Sequence, residues 1–80
     1  FLFHFTVLDN IRLTQPSVSL VEVIHVSKLA GAHEFILKLP LGYDTLIADN
    51  GRSLSGGQCQ RIAIARDLIS SPIILIFDEA

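Results

Sequence analysis

Two adjacent glycines lie between a serine and a glutamine at residues 55–58. Ser55 and Gln58 have the spacing of a capping box, in which the two side chains satisfy backbone N–H groups at a helix start. A helix N-terminus presents free N–H groups and the positive end of the helix dipole, which together favour a phosphate group. Gly56 and Gly57 carry no Cβ atom, so an anion can approach their backbone closely. Taken alone, however, these four residues are better explained as an ordinary helix cap.

A second group that could do chemistry is the acidic pair Asp78 and Glu79, which directly follows an apolar run. In open α/β sheets, ligands bind beyond the carboxyl ends of the strands. At such a place one carboxylate can hold a hydrated Mg²⁺, and the other can orient or deprotonate an attacking water. A polar loop that merely ends a strand explains the two acids equally well.

Other catalytic and metal-binding motifs are excluded by their missing residues. A P-loop needs Lys and then Ser or Thr after its second glycine, but residues 57–58 are Gly and Gln. The stretch HEFIL begins like the zinc motif H-E-x-x-H, but Leu37 occupies the place of the second histidine. Metal-ligand spacing is also absent among His4, His25, His33 and Cys59. We therefore expect His25 and His33 to lie on a helix surface or at an interface.

Composition narrows the class of protein. Half of the 80 residues are hydrophobic and only 18% are charged, which is a core-forming composition rather than a disordered one. The net charge of −2 and the lack of a Lys/Arg cluster argue against nucleic acid as the main partner. A single cysteine, Cys59, cannot form an internal disulfide, so a reducing compartment is expected. The opening FLFHFTVL is too short to span a bilayer and lacks the features of a signal peptide.

Three helices and one strand are predicted. Ser19 and Glu22 form a capping box for a helix over residues 20–30, which Gly31 should end or kink. A short helix over residues 33–38 should stop before the proline at position 40.

The third helix should begin at residue 55 or 56 and run to about residue 69. Ile62, Ala65 and Ile69 fall on one of its faces, which should be buried. Residues 73–77, the continuous apolar run IILIF, favour a strand buried on both sheet faces, as in a parallel α/β sheet.

The remaining segments are predicted to lack helices. Residues 6–13 are interpreted as an irregular segment anchored by apolar side chains, and residues 14–19 as a loop. Residues 40–44 have the composition of a turn. Residues 45–51 should be extended and end in an Asn-Gly turn.

The order of these features is more specific than any one of them. Residues 54–80, LSGGQCQRIAIARDLISSPIILIFDEA, resemble the signature motif, helix and Walker B strand of ABC-type ATPases. Residues 6–11, TVLDNI, look like the segment after the Q-loop in ABC exporters, and residues 29–51 look like their helical subdomain and pre-signature loop. The stretch KLAGAHEFI is most similar to type I secretion exporters of the haemolysin-transporter group.

The resemblance implies an α/β fold, namely part of a P-loop NTPase-type ABC ATPase domain. Residues 1–53 would form the helical subdomain and pre-signature loop, and residues 54–80 would run from the signature motif to Walker B. The family's Walker A motif and Q-loop glutamine would precede Phe1, and its D-loop and switch histidine would follow Ala80. We therefore expect the chain to be a fragment, without a P-loop and without ATPase activity alone.

The resemblance also implies roles for individual residues. The contacts to ATP phosphate would come from Ser55, Gly56, Gly57 and Gln58. Asp78 would be the Walker B acid near Mg²⁺, and Glu79 would be the catalytic base that polarises water.

Four positions depart from the family pattern. Cys59 stands where Arg or Lys is usual, and Asp67 stands where Ala is usual. Asp49 replaces the usual Glu in the loop thought to touch the transmembrane domains, and Ala48 replaces the preceding Gly. Because Cys59 is much nearer to Ser55 than Asp67 is, we expect the loss of that cation to weaken activity more.

The implied function is ATP-driven export, in which the signature of one nucleotide-binding domain closes over ATP held by a second, homodimeric partner. The transmembrane domains would be further partners, at the cytoplasmic face of a bacterial inner membrane, and no nucleic acid is expected. A secreted protein or peptide is the first substrate expected, and a lipid or drug is the alternative. A soluble ABC ATPase acting on nucleic acid and a non-catalytic remnant are the other readings.

Overall fold

Four α-helices and one 3₁₀ turn make up the part of the chain that the computed structural model describes, residues 5–47 and 54–71. In chain order these elements are α1 (Val7–Ile11), α2 (Leu20–Leu29), α3 (His33–Leu37), the 3₁₀ turn (Gly42–Asp44) and α4 (Gly56–Leu68). The strand predicted over residues 73–77 lies outside the described residues. Residues 45–47 follow the prediction of extended chain, since Leu46 forms an antiparallel bridge with Thr6. The rest of that predicted segment is also outside the described part.

Helix α1 corrects the prediction of an irregular segment over residues 6–13, which was wrong. Thr6 caps this helix, because its Oγ1 accepts a hydrogen bond of 3.0 Å from the backbone N–H of Asp9. That Thr-x-x-Asp spacing is an N-cap signal that sequence reasoning overlooked. The helix has only five residues, so its stability must come from packing rather than propensity, and Val7 and Ile11 are fully buried.

Helix α2 begins where predicted and ends one residue earlier. Ser19 Oγ accepts a hydrogen bond of 3.3 Å from the N–H of Glu22. The predicted loop over residues 14–19 is confirmed. It is joined to the end of α4 by a 2.9 Å hydrogen bond between Thr14 Oγ1 and Ser70 Oγ.

The end of α2 is closed by a Schellman motif. Gly31 adopts a φ of 74°, a left-handed conformation that glycine adopts without strain. Its N–H donates to the Lys28 carbonyl at 3.1 Å, and the Ala32 N–H donates to the Ser27 carbonyl at 2.8 Å. The turn between α2 and α3 is therefore well defined, as the prediction for Gly31 requires.

Helix α3 and the 3₁₀ turn are also where the sequence predicts a short helix and a turn. They are connected by a hydrogen bond of 2.8 Å between His33 Nδ1 and the Tyr43 hydroxyl. Burial raises the pKa of Tyr43 above its ordinary value. His33 is half-buried at the start of α3, where the Tyr43 hydroxyl is its hydrogen-bond partner.

A single hydrophobic core joins these elements. Helix α4 packs against both α1 and α2. The predicted buried face of α4 is confirmed, since Ile62 and Ala65 are fully buried and Ile69 is 3% exposed. The other buried apolar residues are Val7, Ile11, Val23, Val26, Ala32, Ile36 and Ile47. This core fixes the position of α4, whose first turn carries the Ser-Gly-Gly-Gln stretch.

Candidate functional site: the first turn of helix α4

The predicted capping box is fully formed at the start of α4. The Gln58 N–H donates to Ser55 Oγ at 3.1 Å, and the Ser55 N–H donates to Gln58 Oε1 at 3.0 Å. The Ser55 backbone is extended, with φ −71° and ψ 163°, and its carbonyl accepts the first helical bond from Cys59 at 3.0 Å. Gly56 and Gly57 supply the first two N–H groups of the helix, which have no intrahelical acceptor.

These two glycines are not explained by the structure around them. Neither has the positive φ seen at Gly31 and Gly42. Within the described residues, a Cβ added at Gly56 would meet nothing within 4 Å, and one at Gly57 would lie 3.7 Å from Arg61 Nη1. Turn geometry and packing therefore tolerate alanine at both positions, although glycine costs about 1 kcal/mol relative to alanine in a helix. The glycines keep the backbone open to close approach from outside.

Electrostatics around this turn follow from the helix and its nearest side chains. The positive end of the α4 dipole lies at Gly56 and Gly57, both of which are exposed. Cys59, one residue beyond Gln58 on the same helix, is half-buried. Asp67 is exposed near the far end of α4, roughly 18 Å from Ser55 at 1.5 Å per residue. At that distance its charge is largely screened in physiological salt.

The other predicted site residues lie outside the described part of the chain. These are Asp78 and Glu79, and also Ala48 and Asp49 of the pre-signature loop. Among residues 5–47 and 54–71, no group of His, Cys, Asp or Glu side chains could hold a metal ion. The described helices are also too short or too polar to cross a membrane.

Sequence reasoning missed Arg61. Its side chain lies near two glycines, Gly57 on the same helix and Gly31 at the end of α2. A Cβ placed on Gly31 would be 3.8 Å from both Cδ and Nε of Arg61. Arg61 follows Gly57 by four residues, so the two share one helix face, and this spacing was an available signal. The contact with Gly31 spans thirty positions and carries no local signal.

Comparison with known proteins agrees with the resemblance seen in the sequence. Residues 2–80 match the family described as "ABC transporter". Over 79 residues the chain is 60% identical to the cyclolysin secretion/processing ATP-binding protein CyaB of Bordetella pertussis. It is 57% identical to the exotoxin translocation ATP-binding protein PaxB of Pasteurella aerogenes. It is 54% identical to the alpha-hemolysin translocation ATP-binding protein HlyB of Escherichia coli.

Each of these matches covers 99% of this chain and 11% of the relative, so the chain spans about a ninth of their length. Among solved structures, the fold is similar to a bacterial Atm1-family ABC exporter with ATP bound, with a TM-score of 0.81 and 44% identity. That match covers 89% of this chain and 12% of the exporter chain. The family match extends over nearly all of the chain, and the predicted α/β ATPase class is that of this family. The chain belongs to the ABC transporter family.

Proposed function

We propose that this chain is part of the ATP-binding and ATP-hydrolysing domain of an ABC exporter that moves a protein or peptide across a bacterial inner membrane. The observation that carries the proposal is the pair Gly56 and Gly57, which neither their backbone conformation nor their packing against the described residues requires. An ATP phosphate that approaches the start of α4 gives these glycines a function. The 54–60% identity to toxin secretion and translocation proteins supports the class of cargo.

The residue roles follow from the chemistry of each group. Gly56 and Gly57 donate backbone N–H groups to the phosphate of an ATP held by a second nucleotide-binding domain. Ser55 and Gln58 brace that turn through their reciprocal hydrogen bonds and line the same contact. Asp78 contributes a carboxylate near Mg²⁺, which keeps most of its waters and needs few protein ligands. Glu79 acts as the general base toward the attacking water.

The same proposal places the chain in a larger assembly. Residues 1–53 act as the helical subdomain and pre-signature loop, and residues 54–80 run from the signature motif to Walker B. The partners are a second, identical nucleotide-binding domain and the transmembrane domains, on the cytoplasmic face of the membrane, without nucleic acid. Phosphoryl transfer then depends on positioning and electrostatic stabilisation across the domain interface.

Two alternatives have some support. The likeness to an Atm1-family exporter is compatible with another class of cargo, such as a lipid or drug, but its 44% identity is below the 54–60% of the toxin relatives. A non-catalytic role is favoured only by the departures at Cys59 and Asp67. ATP turnover separates the second alternative from the proposal.

The direct test is a chimera. The matching 79 residues of the CyaB relative are replaced by residues of this chain, and ATP turnover is measured with the purified protein in detergent or vesicles. We expect Mg²⁺-dependent turnover within about tenfold of the unmodified relative. Turnover that is absent, or that is unchanged when Mg²⁺ is removed with a chelator, would contradict the proposed catalytic function. The isolated 80-residue chain serves as the control and is expected to be inactive.

The departure at Cys59 gives a second prediction in the same chimera. Cys59→Arg restores a cation in the first turns of α4, and we expect kcat/KM for ATP to rise about two- to fivefold. An exposed charge interaction contributes about 0.2–1 kcal/mol, and the upper part of that range, about 0.4–1 kcal/mol, corresponds to a two- to fivefold change. The gain should shrink in 0.5 M salt, because exposed charges are screened.

Asp67→Ala is the matched control for this variant, since it changes the net charge by the same amount at the far end of α4. We expect it to change kcat/KM by less than about twofold. Equal gains from both variants would mean that net charge, rather than a cation near the phosphate, limits activity.

A further inference from the structure

We propose that Arg61 is a positioning residue, which holds the first turn of α4 against the turn that ends α2 and so sets where the Gly57 N–H points. This inference rests on the proposed function, because it concerns the same phosphate contact. It adds a residue that the signature-motif resemblance does not assign to the site. The claim concerns how the backbone is placed, and Arg61 is not itself taken to touch ATP.

The geometry joins two elements that are distant in sequence. Arg61 Cδ and Nε lie 3.8 Å from the position of a Cβ on Gly31, and Nη1 lies 3.7 Å from that of a Cβ on Gly57. These are ordinary van der Waals distances, so the side chain passes over both backbones with room for little more than a methyl group. The stem of Arg61 therefore lies near Gly31 and its guanidinium lies near Gly57, with room for a methyl group between the side chain and each backbone.

The anchor for this contact is the turn at Gly31. Its two closing hydrogen bonds, from Gly31 to Lys28 and from Ala32 to Ser27, define its backbone. Ala32, the residue after Gly31, is fully buried and attaches the turn to the hydrophobic core. Arg61 is exposed, but the contact of its stem with this turn restricts the positions that its guanidinium can adopt.

The other end of the contact needs such support. Helix α4 is buried only from Ile62 onward, and the residues of its first turn are exposed or half-buried. The capping box orders that turn internally, but it does not fix the turn relative to α2. Because a hydrogen bond weakens when its donor is displaced or misaligned, a contact that holds this turn against the core has a consequence for ATP binding.

The experiment uses the chimera and the variants Arg61→Ala and Arg61→Lys. For Arg61→Ala we expect the KM for ATP to rise about fivefold while kcat stays within about twofold, because a displaced phosphate contact weakens binding before it affects the chemical step. Arg61→Lys keeps an aliphatic stem and a positive charge and should restore KM to within about twofold. Lys38→Ala removes an exposed cation at the end of α3 and is expected to leave KM unchanged.

A second readout does not depend on ATP hydrolysis. Amide hydrogen exchange of residues 56–60 in the nucleotide-free chimera should be faster in Arg61→Ala than in Arg61→Lys or Lys38→Ala. If the chimera fails to hydrolyse ATP, the proposed function falls, and the exchange comparison still decides the role of Arg61. The inference is overturned if Arg61→Ala exchanges like Lys38→Ala at residues 56–60, or if it lowers only the melting temperature while KM is unchanged.

Discussion

Replacing Glu79 with glutamine in the chimera is expected to lower kcat for ATP hydrolysis by roughly 10²- to 10⁴-fold, the usual contribution of a general base. Glutamine has nearly the same shape as glutamate but cannot accept a proton from the attacking water. ATP binding should persist, because the substitution leaves the phosphate contacts proposed for Gly56 and Gly57 unchanged. The measurements are steady-state turnover and equilibrium binding of a fluorescent ATP analogue.

Glu34→Gln is the control for this variant, since Glu34 is an exposed glutamate on α3 with no proposed role in catalysis. It should change kcat by less than about twofold. Glu79→Gln that retains turnover would remove Glu79 from the catalytic role. If binding were lost together with turnover, Glu79 would instead be needed to form the nucleotide site.

The second large effect is expected on stability. Ile62→Ala should lower the free energy of unfolding by about 2–5 kcal/mol, because it leaves a cavity at a fully buried position between α4 and its neighbours. Ile64→Ala, two residues along the same helix, is the matched control, since Ile64 is 42% exposed. The control should cost clearly less, about 1 kcal/mol, because much of that side chain stays in water and its truncation leaves no enclosed cavity.

Urea unfolding of the nucleotide-free chimera, followed by circular dichroism, measures both variants. The outcome also tests which face of α4 is buried. Equal losses of unfolding free energy for the two variants would mean that Ile62 does not lie on the buried face. We expect activity to follow stability here, with Ile62→Ala losing turnover at a lower temperature than Ile64→Ala. At temperatures where both are folded, their KM values should agree.

Local signals account for most of the helices. Capping pairs at Ser19 and Ser55 and a glycine after α2 mark ends that the structure confirms to within one residue. The same kind of signal at Thr6 was overlooked, and α1 was therefore missed. A five-residue helix is also too short to produce a periodic pattern, so only its cap and its burial in the core reveal it.

The candidate site was also predicted only in part from the sequence. The run from Ser55 to Gln58 is contiguous, and its spacing alone predicts the capping box that the structure contains. The roles of Asp78 and Glu79 remain predictions, because those residues lie outside the described part. The reason for the glycine pair, however, could not be read from spacing, since an ordinary cap and a phosphate contact have the same local pattern.

By itself, then, the sequence determined the boundaries of α2, α3 and α4 to within about one residue, the buried face of α4 and the family. These depend on interactions between residues that are close in the chain or on a long contiguous motif. Only the tertiary structure decided that, among the described residues, a Cβ on Gly56 would meet nothing within 4 Å, that one on Gly57 would meet only Arg61, and that Arg61 reaches Gly31. Both facts depend on how α4 lies against α2, which is determined by packing among core residues far apart in sequence.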